Sequence, residues 1–392
     1  MTTRAALGLE RNVLAVSAAT FLLALGENLW KRFIPKYLEA LGAPVTAIGL
    51  FGSCQDFLDG VSQYPGGWIG DRYGRRRALL LFVTLAAVGY ALYWWAPTWP
   101  VVFVGLVFVM AWSSMASPTL FAVIGDALPR ERRAMGFTVQ SILRRIPIAL
   151  APTLGGVAIA AYGVIDGVRL GLVLTIALAA LTLVTVGRRI DIPLTRDEVP
   201  TNILAVWRSL PVPLRRLLVS DILIRTCEGL VDVFLVLYAI NVIGISAPSY
   251  GVLIGVQAVT AIVSYLPVAR LADRVGRKPF VIATFVAFSL FPVAVVLAHD
   301  FATLVAAFVV GGLREVGEPA RKAMIVDLVR PSLRARSVGL YYLIRSVSIA
   351  PAAFIGGVLW TMTPVLPFWA AGVIGLVGVI VFARTVEERY AG

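Results

Sequence analysis

Histidine occurs once in this 392-residue chain, at His299, and cysteine twice, at Cys54 and Cys227. A single histidine, in a gap between two apolar runs, can neither build a zinc cluster nor carry a proton through the interior. Both cysteines fall inside apolar segments, so no disulfide framework is indicated. No Walker sequence, nucleophile elbow or Cys/His metal spacing occurs. ATP hydrolysis and zinc chemistry are excluded, and a protein that is not an enzyme and uses no cofactor is expected. Charge is also scarce: Asp, Glu, Lys and Arg together make 15% of the residues.

What fills the space is apolar. Hydrophobic residues make 59% of the chain and the mean hydropathy is +0.86, beyond what an ordinary soluble domain can bury. Successive apolar runs of about 20 residues suit a chain that crosses a bilayer many times. The run after Arg4 and Arg11 continues through Trp30 without a cleavage motif, so it reads as a retained first helix.

The net charge of +13 sits in short clusters between apolar runs, not on one tail. Arg72, Arg75, Arg76 and Arg77 form one; Arg130, Arg132 and Arg133 another; Arg188, Arg189, Arg196, Arg208, Arg215 and Arg216 a third. Arg274, Arg277 and Lys278, then Arg330, Arg334 and Arg336, complete the set. Against six interspersed acids these 19 bases account for the whole excess, 19 − 6 = 13. The alternate gaps at 96–100, 241–249 and 361–367 carry no charge. Such alternation is the positive-inside pattern. It argues for topology and against nucleic-acid binding, and it places both termini in the cytoplasm of a multi-pass cell (inner) membrane protein.

Bounded by Gly, Pro and charge, the runs predict twelve helices near 12–38, 46–70, 78–96, 100–127, 135–161, 168–187, 216–242, 249–271, 279–298, 302–327, 337–361 and 365–384. The second six repeat the first at an offset of 201 to 202 residues. Glu27 pairs with Glu228, Phe33 with Phe234, Tyr37 with Tyr238, Gln55 with Gln257 and Pro65 with Pro267. Asp71 pairs with Asp273, Asp126 with Asp327, Arg144 with Arg345, and Gly155–Gly156 with Gly356–Gly357. The expected organisation is an all-α membrane protein of two pseudo-symmetric six-helix bundles, 1–187 and 216–392, joined by a cytoplasmic linker at 188–215.

GGWIGDRYGRRRA, beginning at Gly66, resembles the signature loop of the major facilitator superfamily, and VARLADRVGRKP repeats it with Ala269 at the leading glycine position. The resemblance covers helix count, half-repeat, linker and loop position. It implies a secondary transporter working by alternating access, with helices one, four, seven and ten lining a central cavity. It also implies a cytoplasmic gate of Gly67, Asp71, Arg72, Gly74, Arg75, Asp126, Asp273, Arg274, Gly276, Arg277 and Asp327. In that gate Asp71 and Asp273 secure the two halves, while Arg76 and Arg77 serve topology alone. APTLGG at Ala151–Gly156 resembles the helix-five motif of facilitator antiporters, with Ala151 where a glycine is usual.

Charge inside the spans is confined to certain helices. The acids are Glu27, Asp56, Asp59, Asp221, Glu228, Asp232, Glu315 and Glu318. The bases are Lys31, Arg32, Arg144, Arg145, Arg225, Arg314, Arg321, Lys322 and Arg345. Helix four contributes Ser113, Ser114 and Ser117 instead. Facing lipid, these seventeen charges would cost on the order of 50 kcal/mol, so they must face one another or water. At 3.6 residues per turn Asp221, Arg225, Glu228 and Asp232 share an arc, as do Arg314, Glu318, Arg321 and Lys322. Glu27 with Lys31 and Asp221 with Arg225 are spaced as local i,i+4 ion pairs.

These residues are the candidate substrate and proton cavity. Glu27 and Glu228 lead as carriers of a coupling proton, with Asp56, Asp59 and Asp232 behind them. The expected activity is proton-coupled movement of a small charged or amphipathic organic solute by a monomer, with export ahead of uptake. Uptake of an anion is the second reading, and a non-transporting scramblase or sensor the reading from another class.

Overall fold

The computed structural model describes residues 11–117, 119–120, 130–189, 210–328 and 334–386, which form twelve helical rods with no β-strand among them. They are α1 (11–40), α2 (Val45–Tyr73), α3 (Arg75–Trp95), α4 (99–117), α5 (Arg130–Tyr162) and α6 (Val164–Arg189). The second six are α7 (212–242), α8 (Ala247–Val275), α9 (Lys278–Val296), α10 (301–327), α11 (334–362) and α12 (Leu366–Thr385).

Several rods start three to five residues before their apolar runs, because arginine is a good helix former whose long stem lets its charge reach water. Asp71 and Arg72 therefore lie on the last turn of α2, and Arg75–Arg77 on the first turn of α3. The expected loop shrinks to one residue between α2 and α3, Gly74 at φ 91°, and to two between α8 and α9, Gly276 at φ 97° and Arg277. Both glycines lie in the left-handed region that suits only glycine.

The helix pairs repeat between halves. α1 packs on α5 and α6, and α3 on α4 and α6; α7 likewise packs on α11 and α12, and α9 on α10 and α12. Hydropathy sorts the same rods. Seven of them (α3, α5, α6, α8, α9, α11 and α12) contain spans long and apolar enough to cross a membrane. The remainder, α1, α2, α4, α7 and α10, include the four that carry most of the charge or serine. Exposed apolar side chains on α6 (Leu170, Val173, Leu181, Val184) and α12 (Val373, Leu376, Ile380) suit a lipid solvent.

The chain divides into two compact units. One holds Met1–Ala43, Leu58–Glu198 and Ser246–Val252; the other holds Pro44–Phe57, Val199–Ile245 and Leu253–Gly392. In the first, Trp30 donates to the Thr175 hydroxyl at 2.9 Å and meets Tyr90 and Tyr93 edge-on at 5.7 and 5.6 Å. In the second, Leu217, Ile224, Phe285, Met324 and Phe382 form the apolar centre.

Small residues set the closest approaches, as expected where packing must work without a hydrophobic drive. Gly155 lies against the Leu29 carbonyl, and Gly356, its repeat partner, against that of Leu230. Gly251 meets Pro152 within the first unit; Gly49 meets Ala353 within the second, where the Phe354 N–H also donates to the Ser53 hydroxyl at 2.9 Å.

Two irregularities touch the candidate residues. Single 3-10 turns interrupt α1 at Lys31–Phe33 and α7 at Asp232–Phe234, 201 residues apart, each just beyond the paired glutamate. A turn at 314–317 also splits α10 into Phe301–Leu313 and Glu318–Asp327. This corrects the expectation of one continuous face for Arg314, Glu318, Arg321 and Lys322. Gly311, Gly312 and Gly317 weaken the helix there, and Thr284 takes up the Gly317 N–H at 2.5 Å.

Candidate functional site

Among the described residues the largest group of buried charges lies inside the second unit, where α7, α10 and α11 meet. Arg321 is 1% exposed and holds two carboxylates. Its NH1 donates to Asp221 Oδ2 at 2.6 Å, while Nε and NH2 fork onto Glu318 at 3.1 and 2.8 Å. Tyr341 donates to the same Asp221 oxygen at 2.8 Å. Arg225 then bridges Glu318 and Glu228 at 2.5 and 2.8 Å. Arg314 stands 3.5 Å from Glu228, donates to the Gly311 carbonyl at 3.0 Å and lies over the rings of Phe291 and Phe288.

Asp221 pairs across helices, with Arg321, and not with Arg225 one turn along α7. A local i,i+4 contact reaches one carboxylate, whereas the guanidinium fork satisfies two carboxylates in a site that excludes water.

Four guanidiniums (Arg225, Arg314, Arg321, Arg345) face three carboxylates (Asp221, Glu228, Glu318), a surplus of 4 − 3 = 1 positive charge. The surplus falls to Arg345. It makes no hydrogen bond among the described residues; its NH1 stands 3.5 Å from Asp221 and its guanidinium stacks on Tyr342 at 4.7 Å. Its Nε is buried without an acceptor, and so is Asp221 Oδ1 without a donor.

Among the described residues the first unit has no matching network, because Thr20, Ala24, Ser117 and Leu120 stand where Asp221, Arg225, Glu318 and Arg321 stand in the second. Glu27 is buried and accepts from the Tyr90 hydroxyl at 2.6 Å, with no ion pair among the described residues. Lys31 does not reach it, because the 3-10 turn that begins at Lys31 rotates it off the face of Glu27. On α2, Asp59 accepts a short hydrogen bond from Ser114 of α4.

Asp56, Arg32, Arg145 and Glu315 are half-buried and Asp232 is exposed, all five engaged with neighbours; Lys322 is exposed on α10. Asp126 lies outside the described residues, as do the side chains of Asp71, Arg144, Asp273, Arg274 and Asp327. Gly67 lies near the end of α2, Arg72 stacks on Trp68 at 4.9 Å, and Arg75 and Arg277 flank the two turn glycines.

Sequence reasoning missed Tyr90, Tyr341 and the ring platforms at Phe288 and Tyr342. Tyr90 had one signal: a phenol in the apolar centre of α3 needs a buried partner.

It also misjudged Arg76. That side chain donates to the Gly187 carbonyl at the end of α6, and Lys278, 202 residues on, donates to the Ala383 carbonyl near the end of α12 at 2.9 Å. A cation on the last carbonyls of a helix suits its negative end. We expect Arg76→Ala and Lys278→Ala each to lower stability by about 0.5–1 kcal/mol, adding in the double variant. Thermal unfolding in detergent checks this, and an unchanged midpoint in the double variant contradicts it.

At the far end of α9 the only histidine, His299, precedes Asp300, which caps α10. Hydrogen bonds from the Thr303 hydroxyl and N–H hold the Asp300 carboxyl below its usual range.

Twelve helical rods in two repeated sets, seven of them with spans long and apolar enough to cross a membrane and with charge confined to particular helices, define a membrane carrier. The chain belongs to the Major Facilitator Superfamily, whose family model matches residues 16–227 and again 217–392. It is 21% identical over 387 residues to an uncharacterized MFS-type transporter of Methanocaldococcus jannaschii, covering 94% of this chain and 93% of that one. Over 119 residues, 30% of each chain, it is 32% identical to the 3-(3-hydroxy-phenyl)propionate transporter of Escherichia coli. A solved POT family transporter in complex with 5-aminolevulinic acid superposes with a TM-score of 0.80 at 13% identity, covering 95% of both chains.

Proposed function

We propose that the chain is a proton-coupled secondary transporter for a small organic solute bearing an acidic group, with halves 1–187 and 216–392 alternating around it. The observation that carries this reading is the unbalanced guanidinium of Arg345. A half-buried cation whose Nε–H has no acceptor among the described residues, beside an aromatic platform, suits a carboxylate or phosphate on a partly apolar molecule. That the Escherichia coli relative carries an aromatic carboxylate supports the same class.

The paired glutamates divide the work. Glu228 is held by two guanidiniums and serves as an anchor. Glu27 has a phenol and no cation among the described residues, so it is the better proton carrier. Export remains the favoured direction, supported by Pro152 and the Gly155–Gly156 pair on α5. Uptake of the anion is the second reading, supported by Arg345 itself.

The test uses proteoliposomes and a panel of radiolabelled organic acids. Arg345→Gln should weaken binding of the transported acid about tenfold or more, as losing a charge-assisted hydrogen bond does. Glu27→Gln should lose accumulation driven by a pH gradient yet keep counterflow exchange, whereas Glu228→Gln should lose binding and stability together. Wild-type accumulation by Glu27→Gln would place coupling elsewhere, and unaltered affinity in Arg345→Gln would reject the acidic solute.

A further inference from the structure

A cleft of about 670 Å³ opens in the first unit, at the end away from the Arg75–Arg77 turn. It is lined by Trp94 and Trp95 of α3, Tyr162 at the end of α5, and Asp166, Arg169 and Leu170 of α6. None of these residues belongs to the charge networks above. Because α3 and α5 end here and α6 begins, the cleft lies where the rods leave the bilayer, the level of aromatic belts. The three rings are 45%, 63% and 65% exposed, so they line open space.

Asp166 and Arg169 stand one turn apart on α6, a spacing that ordinarily permits an ion pair, yet they form none. Arg169 is turned instead to the Ala96 carbonyl at 3.1 Å, and its Nε–H is buried without an acceptor. An anion and a cation held apart beside exposed rings match a zwitterion. An ammonium fits Asp166 and the ring faces, and a phosphate oxygen fits Arg169.

The surface of α6 that continues from the cleft, starting at its lining residues Leu170 and Val173, selects the source of that zwitterion. Leu170, Val173, Leu174, Leu181 and Val184 are 42–50% exposed. At 1.5 Å per residue this stripe runs about 21 Å, longer than the ~15 Å of one hydrocarbon leaflet. An acyl chain can lie along it for its whole depth, which a soluble zwitterion cannot use. We propose that this cleft holds a phospholipid with an ammonium-bearing zwitterionic headgroup, its phosphate on Arg169, its ammonium at Asp166 and one acyl chain along α6.

The experiment is native mass spectrometry of the purified full-length chain with equimolar phosphatidylethanolamine and phosphatidylglycerol. The wild type should retain phosphatidylethanolamine about three- to fivefold better, the most that an exposed ion pair confers. Asp166→Asn should bring the ratio to about one with the melting temperature unchanged, since Asp166 has no partner among the described residues. Arg169→Gln should weaken retention of both lipids, and because Arg169 also caps α3, Asp166→Asn is the decisive variant. Equal retention by the wild type, or an unaltered ratio in Asp166→Asn, overturns the proposal. So does displacement of the lipid by excess glycerophosphoethanolamine, which would mark a site for a soluble zwitterion.

Discussion

Arg321→Leu is expected to abolish folded protein. The guanidinium is 1% exposed and bonds Asp221 and Glu318, which are 1% and 6% exposed. Deleting it takes the fork from Glu318 and leaves the buried Asp221 with the Tyr341 hydroxyl and Arg345 at 3.5 Å, and breaking one buried pair in this way costs about 3–5 kcal/mol. That approaches the whole margin of roughly 5–15 kcal/mol by which proteins stay folded. Arg321→Lys should fall between, because an ammonium is a point charge and cannot fork onto Glu318 while reaching Asp221.

The double variant Asp221→Asn, Arg321→Leu should recover much of the lost stability, since Glu318 keeps Arg225 at 2.5 Å and the surplus stays at one positive charge, 3 − 2 = 1. It should not recover transport. Size-exclusion profiles and thermal unfolding in detergent read the first effect, and proteoliposome uptake the second. If Arg321→Leu melts within about 1 kcal/mol of the wild type, the network does not brace the bundle.

Most of the fold was legible because bilayer physics writes it into the chain. An apolar run of the right length, ended by charge or glycine, leaves few alternatives to a spanning helix. The 201-residue repeat then fixed which helices are equivalent, as in the matched contacts of Gly155 with Leu29 and Gly356 with Leu230. The charge-bearing helices were equally readable, since each charge is too costly to face lipid.

The partners of those charges were not legible. Sequence spacing offers Arg225 to Asp221, and the fold supplies Arg321, 100 positions away. Which pair forms depends on how α10 breaks at 314–317, and that break depends on Thr284 of a third helix receiving the Gly317 N–H. Such choices are tertiary, so helical phase alone could not reach them. Nor could it separate Glu27 from Glu228. They are equivalent in the repeat, and their neighbours make them chemically different: Tyr90 of α3 for one, and for the other Arg225 one turn back on α7 with Arg314 from the break in α10.

Gly155→Ala is expected to lower stability markedly, although it adds one methyl group. A Cβ built at Gly155 would overlap the Leu29 carbonyl oxygen, and one at Gly356 would overlap that of Leu230. Backbone cannot swing aside as a flexible side chain can, so α5 would have to separate from α1, and α11 from α7. Overpacking of this kind costs about 1–3 kcal/mol or more. Separating α5 would also lift Gly156 off the start of α8, where it meets Ala247 and Pro248 within the same unit.

The matched controls are Gly187 and Gly339. Both are helical, and an added Cβ meets nothing nearer than 3.9 Å at the first and nothing within 4 Å at the second. Alanine there should be neutral, or stabilising by up to about 1 kcal/mol, because glycine gives up more backbone freedom on folding. The four variants compared by thermal unfolding in one detergent separate close packing from helix propensity. Gly155→Ala and Gly356→Ala should melt well below the wild type while Gly187→Ala and Gly339→Ala do not. If all four shift alike, propensity governs and the glycine contacts between helices carry no weight.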